Sequence, residues 1–154
     1  MNGADANKKL LEIYRRRVLD HSRHPHNLRR PARADREVTG FNPLCGDKLT
    51  VYISLDGETI SDVAFEGTGC AISMAAASMM TEALTGQPVA RADKLINQVN
   101  AMFAEGVTPD DSLLEDTRAL ENVREYPSRI KCATLPWTAA EAALHDDTRQ
   151  VSTE

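Results

Sequence analysis

The 154-residue sequence predicts an α+β fold, a three-stranded antiparallel sheet with helices packed against it. Three observations predict it. Residues 48–55 alternate, with Leu49, Val51, Ile53 and Leu55 on one face and Lys48, Thr50, Tyr52 and Ser54 on the other, the period of a half-buried strand. Asp56-Gly57 follows at once, a dipeptide suited to a tight hairpin turn. Beyond residue 70, apolar residues recur instead at the three- and four-residue steps of helices.

The elements follow in order. Residues 7–22 read as a helix, because Leu11, Tyr14 and Val18 recur at helical spacing with Leu10 beside them. Arg15, Arg16 and Arg17 fall largely on other faces, and Pro25 marks the end. The stretch from His21 to Pro31 then reads as an irregular connection. Its histidines, His21, His24 and His26, read as a solvated helix end and loop rather than as metal ligands. Residues 36–41 form a short edge strand with Val38 and Phe41 as its apolar members. Residues 59–66 return from the hairpin, and Ile60 is out of phase with Val63 and Phe65, so a bulge is expected near Ser61.

Residues 70–85 are rich in Ala and Met and apolar on most faces, the pattern of a central buried helix stopped by Gly86. Met74, Met79 and Met80 read as core packing. Leu95, Ile96, Val99, Met102 and Phe103 define another helix, closed by Gly106. Residues 111–124, with Leu113, Leu114, Leu120 and Val123, read as a further helix. Ala133, Trp137, Ala140 and Leu144 define the last one. Pro136 is tolerated in a first turn, so this helix is expected to start near Cys132. The tail from Asp146 is expected to fray. No repeat or linker divides residues 1–154, which read as one domain.

Composition narrows the function. A hydrophobic fraction of 42% and a charged fraction of 27% are ordinary for a soluble domain. A net charge of −5 argues against a nucleic-acid partner, whose footprint is basic. No apolar run approaches the roughly 18 residues of a membrane span, and Met1-Asn2-Gly3-Ala4-Asp5 lacks the pattern of a signal peptide. A cytoplasmic location is therefore expected. There thiols stay reduced, and three cysteines suit a disulfide framework poorly.

Those three cysteines carry the chemistry. They lie in Asn42-Pro43-Leu44-Cys45-Gly46-Asp47, in Gly67-Thr68-Gly69-Cys70-Ala71-Ile72-Ser73 and in Arg129-Ile130-Lys131-Cys132-Ala133. A three-stranded meander reverses direction twice, so it returns Cys70 to the sheet end that holds Cys45 and Asp47. Cys70 also opens a helix, where free N–H groups and the helix dipole favour the thiolate. Cys132 is expected to do the same. Three thiolates and a carboxylate suit tetrahedral Zn²⁺, and the hard oxygen donor suggests an exchangeable ligand. On spacing alone Asp47 reads equally as a turn residue capping backbone N–H groups.

The three segments resemble the U-type iron–sulfur cluster assembly family. Tyr14, Leu19-Asp20-His21, Pro25, Asn27, Ala77-Ser78-Met79-Met80 and Thr134-Leu135 extend the match over most of the chain. The resemblance implies a SufE/NifU-like α+β fold. Lys131 stands where the scaffold branch, IscU, carries a His; there is no Leu-Pro-Pro-Val-Lys motif, and the segment between Cys70 and Cys132 is long. Those features resemble the SufU branch. What this implies is a zinc-dependent sulfurtransferase with Cys45, Asp47, Cys70 and Cys132 as metal ligands. A SufS-type cysteine desulfurase, with its own pyridoxal phosphate, would supply persulfide sulfur. Docking would replace Cys45 on the zinc by a desulfurase His, and Cys45 would accept the sulfur for downstream SUF scaffold proteins. Arg129, one helical turn from Cys132, reads either as a surface charge or as support for Asp47 or a released thiolate. The alternative is a scaffold that binds iron or an iron–sulfur cluster at the same ligands.

Overall fold

Alternation and hairpin chemistry build the sheet as expected. A computed structural model describes residues 3–145 and 150–153. Strands β1 (Arg36–Asn42), β2 (Asp47–Asp56) and β3 (Thr59–Thr68) form the antiparallel meander. Ser54 pairs with Asp62 and Leu55 with Ile60, so Ser61 is the extra residue of the bulge. The sheet has a fourth strand, β4 (Gln150–Ser152), which lies parallel to β1 and gives the order β3-β2-β1-β4. The expected fray is thus corrected over 150–152: an open backbone edge on β1 offers hydrogen bonds that a short tail can take. The expectation for 146–149 falls outside the described residues.

Helix α1 (Gly3–Arg23) precedes the sheet, and α2 (Ala71–Leu84), α3 (Val89–Glu105) and α4 (Pro127–His145) follow it. Helix α2 packs on α1, α4 and β3. Ten of its side chains are buried, which accounts for its lack of a polar face. Trp137, Met80, Phe65 and Ile53 are among the largest fully buried side chains around it.

Two helical expectations are corrected. Residues 111–124 are not an α-helix but two 3-10 helices, Ser112–Leu114 and Thr117–Glu125. Leu114, Thr117, Leu120 and Val123 are buried at strict three-residue steps, which is the 3-10 period. Helix α4 starts at Pro127, so Cys132 is in its second turn rather than at its start. Pro136 is interior, and it lacks the N–H that would bond the Cys132 carbonyl. Burial of nearly the whole second half of α4 sustains the helix through that lost bond.

The expectation of a solvated His21 is also corrected. His21 is buried, with Nδ1 2.7 Å from Ser78 Oγ and Nε2 3.0 Å from Asp116 Oδ2. Ser78 Oγ also accepts the His26 N–H at 2.8 Å. This network ties α1 to α2 and to the turn before the second 3-10 helix. His26, by contrast, is exposed and paired with Glu82. We expect His21→Ala to destabilise the fold by about 2–3 kcal/mol, because it removes two hydrogen bonds that join three elements and opens a cavity. Urea unfolding measures this, and a change below about 0.5 kcal/mol would be that of an ordinary surface residue.

Candidate metal and thiol centre

The strand register places the site. Asn42 at the end of β1 pairs with Asp47 at the start of β2, and Lys48 pairs with Thr68 at the end of β3. The 43–46 turn and the start of α2 therefore share one end of the sheet. Gly46 turns the chain with a φ of 72°, in the left-handed region where a side chain is strained. Cys45 sits in this turn beside the exposed Leu44, and its N–H donates to Asn42 O at 3.2 Å.

The three cysteines do gather, from three separate elements. Cys45 Sγ and Cys132 Sγ are 3.2 Å apart. One ligand atom each from Cys45, Asp47 and Cys132 lies within 4.8 Å of the other two. Cys70 is adjacent but outside that set. Its backbone N–H donates to Asp47 Oδ1 at 2.8 Å, while its sulfur accepts the Ser73 N–H at 3.5 Å as the N-cap of α2. Asp47 therefore organises the Cys70 backbone as well as lying among the donor atoms. Arg129 reaches the cluster from the first turn of α4, with Nη1 3.8 Å from Cys45 Sγ.

The clustered thiols and the guanidinium perturb one another. Burial, reinforced by hydrogen bonds with Cys45, Asp47 and Cys70, pushes the Cys132 thiol pKa up. A hydrogen bond with Cys132, and then the negative charges of Cys70 and Cys45, raise the pKa of the Arg129 guanidinium. A bound cation inverts the thiol logic, since it favours the thiolate over the thiol.

The donors fit zinc. Sulfurs sharing one tetrahedral zinc stand about 3.8 Å apart, given zinc–sulfur distances of about 2.3 Å. The 3.2 Å between Cys45 and Cys132 is within a small side-chain rotation of that.

Close approach at Gly69 protects the geometry. A methyl group there would overlap Ser73 Oγ and stand 3.1 Å from Asp47 Oδ1. Gly69→Ala is expected to displace both and to weaken metal binding by roughly 10–100-fold, the range for groups that orient ligands. Chelator competition measures it, and parental affinity would show that the loop yields freely.

The model of the NifU-like N-terminal domain family matches residues 13–151. The chain belongs to this family. A NifU-like relative from Bacillus subtilis (strain 168), the zinc-dependent sulfurtransferase SufU, is 41% identical over 140 residues, covering 90% of this chain and 93% of that one. The iron-sulfur cluster assembly scaffold protein IscU of Streptococcus pyogenes serotype M1 is 36% identical, covering 88% and 85%. A putative SUF-system iron-sulfur cluster assembly scaffold protein of Fervidobacterium islandicum AW-1, solved by crystallography, has a TM-score of 0.78 at 34% identity, covering 83% of this chain and 93% of that one. This NifU-like chain carries the family's α+β architecture with four strands in its sheet rather than the expected three. Among its described residues no helix is long and apolar enough to cross a membrane.

One residue of the centre is missing from the sequence expectations. Asn42 is fully buried, and its Nδ2 is 3.2 Å from Cys132 Sγ and 3.3 Å from Asp47 Oδ2. A signal for it exists in the sequence. Asn42 falls in phase with Val38 and Gly40 on the inward face of β1, and a polar side chain in a buried phase needs partners.

Proposed function

We propose that this chain is a zinc-dependent sulfur acceptor for iron–sulfur cluster assembly. It takes persulfide sulfur onto Cys45 from a SufS-type cysteine desulfurase that carries its own pyridoxal phosphate. It passes that sulfur to downstream SUF scaffold proteins, and it works in the cytoplasm. The observation that carries this reading is the convergence of two thiols and a carboxylate at one end of the sheet, with the third cysteine beside them and one of the two thiols in a turn. The 41% identity to a relative named for zinc-dependent sulfur transfer supports it.

Cys45, Asp47, Cys70 and Cys132 would hold the zinc, which keeps the thiols deprotonated at neutral pH. The residues divide the remaining work. Cys132 lies within α4 and Cys70 caps α2, whereas Cys45 belongs to a glycine-containing turn and can swing without disturbing a helix. Its thiolate attacks the outer sulfur of the partner's persulfide. The new S–S bond forms on Cys45, the old one breaks, and the partner's cysteine leaves as a thiolate, with no net oxidation. Arg129 beside the Cys45 sulfur offers a positive charge to the thiolate and to the persulfide anion it becomes.

The test is incubation with a SufS-type desulfurase, cysteine and pyridoxal phosphate, followed by mass spectrometry of alkylated peptides. A sulfur adduct on Cys45 and faster desulfurase turnover are expected. An adduct confined to Cys70 or Cys132 would refute the role of Cys45. The second reading is a scaffold that binds iron or an iron–sulfur cluster at the same ligands, favoured by the names of the IscU relatives. It requires no adduct, no stimulation and a transferable cluster after anaerobic reconstitution.

A further inference from the structure

Three thiols of one cluster must do different things if one is to leave the metal and two are to stay. The burial and hydrogen bonding of their sulfurs already differ. Cys132 is fully buried, and an amide N–H of Asn42 points at its sulfur at 3.2 Å. Cys45 is half-buried, and among the described residues its sulfur meets Arg129 Nη1 at 3.8 Å and Cys132 Sγ at 3.2 Å. Cys70 caps a helix.

The Asn42 amide has one orientation that electrostatics allows. Its Nδ2 serves two acceptors, the Cys132 sulfur and Asp47 Oδ2, one with each hydrogen. Reversing the amide would set its oxygen against a sulfur and a carboxylate, acceptor against acceptors. The orientation has a cost: Oδ1 is buried with no hydrogen-bond partner among the described residues. An unpaired buried carbonyl costs about 1–3 kcal/mol. An apolar side chain of similar size would avoid that cost but would take both N–H groups away from the buried Asp47 carboxylate and the Cys132 sulfur, so what the asparagine supplies here is those two donors.

We propose that Asn42 is a positioning residue that assigns unequal roles to the thiols. Its N–H groups hold the Cys132 sulfur and the Asp47 carboxylate together as the fixed half of the donor set. The N–H···S bond withdraws charge from Cys132, which makes it a poorer nucleophile, while burial and the amide it shares with Asp47 hold it in place. Cys45, half-buried in its turn, meets the Arg129 guanidinium at 3.8 Å instead of a fixed amide and stays free to leave the metal. This inference rests on the metal reading proposed above.

Cobalt(II) is the probe, because its sulfur-to-metal charge-transfer absorption reports the electron density on the bound sulfurs. We compare the full chain with Asn42→Leu, which removes the donors at similar volume, and with Asn42→Ser, whose hydroxyl is too short to reach. Both variants are expected to shift the charge-transfer band to longer wavelength and to bind cobalt roughly 10–100-fold more weakly. The metal-free variants should remain folded, at a lower melting temperature than the parent because the buried Asp47 carboxylate loses a donor. Band and affinity unchanged in either folded variant would overturn the proposal. Failure of both variants to fold without metal would assign Asn42 to the fold and overturn it equally. If the parent chain itself shows no sulfur-to-cobalt band, the metal reading has failed, an outcome distinct from an Asn42 variant that matches a cobalt-binding parent.

Discussion

Cys45→Ala is expected to abolish sulfur acceptance while the fold survives. The Cys45 side chain is not in a helix or strand, and the 43–46 turn is held by a backbone bond from its N–H to Asn42 O, which alanine keeps. The variant loses the thiolate that attacks the persulfide, so no residual route of comparable rate remains. Adduct formation in the desulfurase assay should fall at least about 100-fold, of the order seen when a nucleophile is removed. Melting of the metal-free variant should lie within a few degrees of the parent. Sulfur arriving at the same rate on Cys70 or Cys132 in Cys45→Ala would show that the turn thiol is not the acceptor.

Cys132→Ala is expected to remove the stabilisation that metal gives. Cys132 is the buried thiol of the cluster, hydrogen-bonded to Asn42 and 3.2 Å from Cys45, and no other thiol can replace it from α4. A ligand that binds only the folded chain at 100 times its dissociation constant adds about 2.7 kcal/mol. For a domain of this size that corresponds to a rise in melting temperature of roughly 5–10 °C. The parent should show this rise on adding zinc, and Cys132→Ala should not. The comparison uses the metal-induced shift, so the cost of shaving a buried side chain cancels. Equal zinc-induced shifts in both proteins would place the metal elsewhere. Zinc retention in the parent should also weaken as pH falls, because protons compete for the thiolates that metal binding requires.

Much of this centre was legible without coordinates, and the reasons are local. The alternation from Leu49 to Leu55 and the Asp56-Gly57 turn define two strands, and the phase slip at Ile60 locates the bulge at Ser61. A meander has only two ends, so Cys45, Asp47 and Cys70 had to share one. The illegible parts depend on neighbours in space. His21 looks solvated beside Pro25, yet Ser78 and Asp116, far along the chain, enclose it. Pro136 looks like a helix start, yet burial on α4 carries the helix through it. The 150–152 strand exists because β1 has a free edge, which no property of Gln150-Val151-Ser152 announces.

By itself the sequence determined the class of fold and the common location of Cys45, Asp47 and Cys70, because strand period, turn dipeptides and cysteine context are local properties of the chain. Only the tertiary structure decided how the donors differ. It carried Cys132 on the second turn of α4 to within 3.2 Å of Cys45, turned the Cys70 sulfur onto the α2 N-terminus, and set Asn42 between Cys132 and Asp47. Those relations join residues up to 90 positions apart. They arise from packing α4 across the sheet end, and a sulfur's burial and hydrogen bonds, which govern its reactivity, exist only once that packing is made.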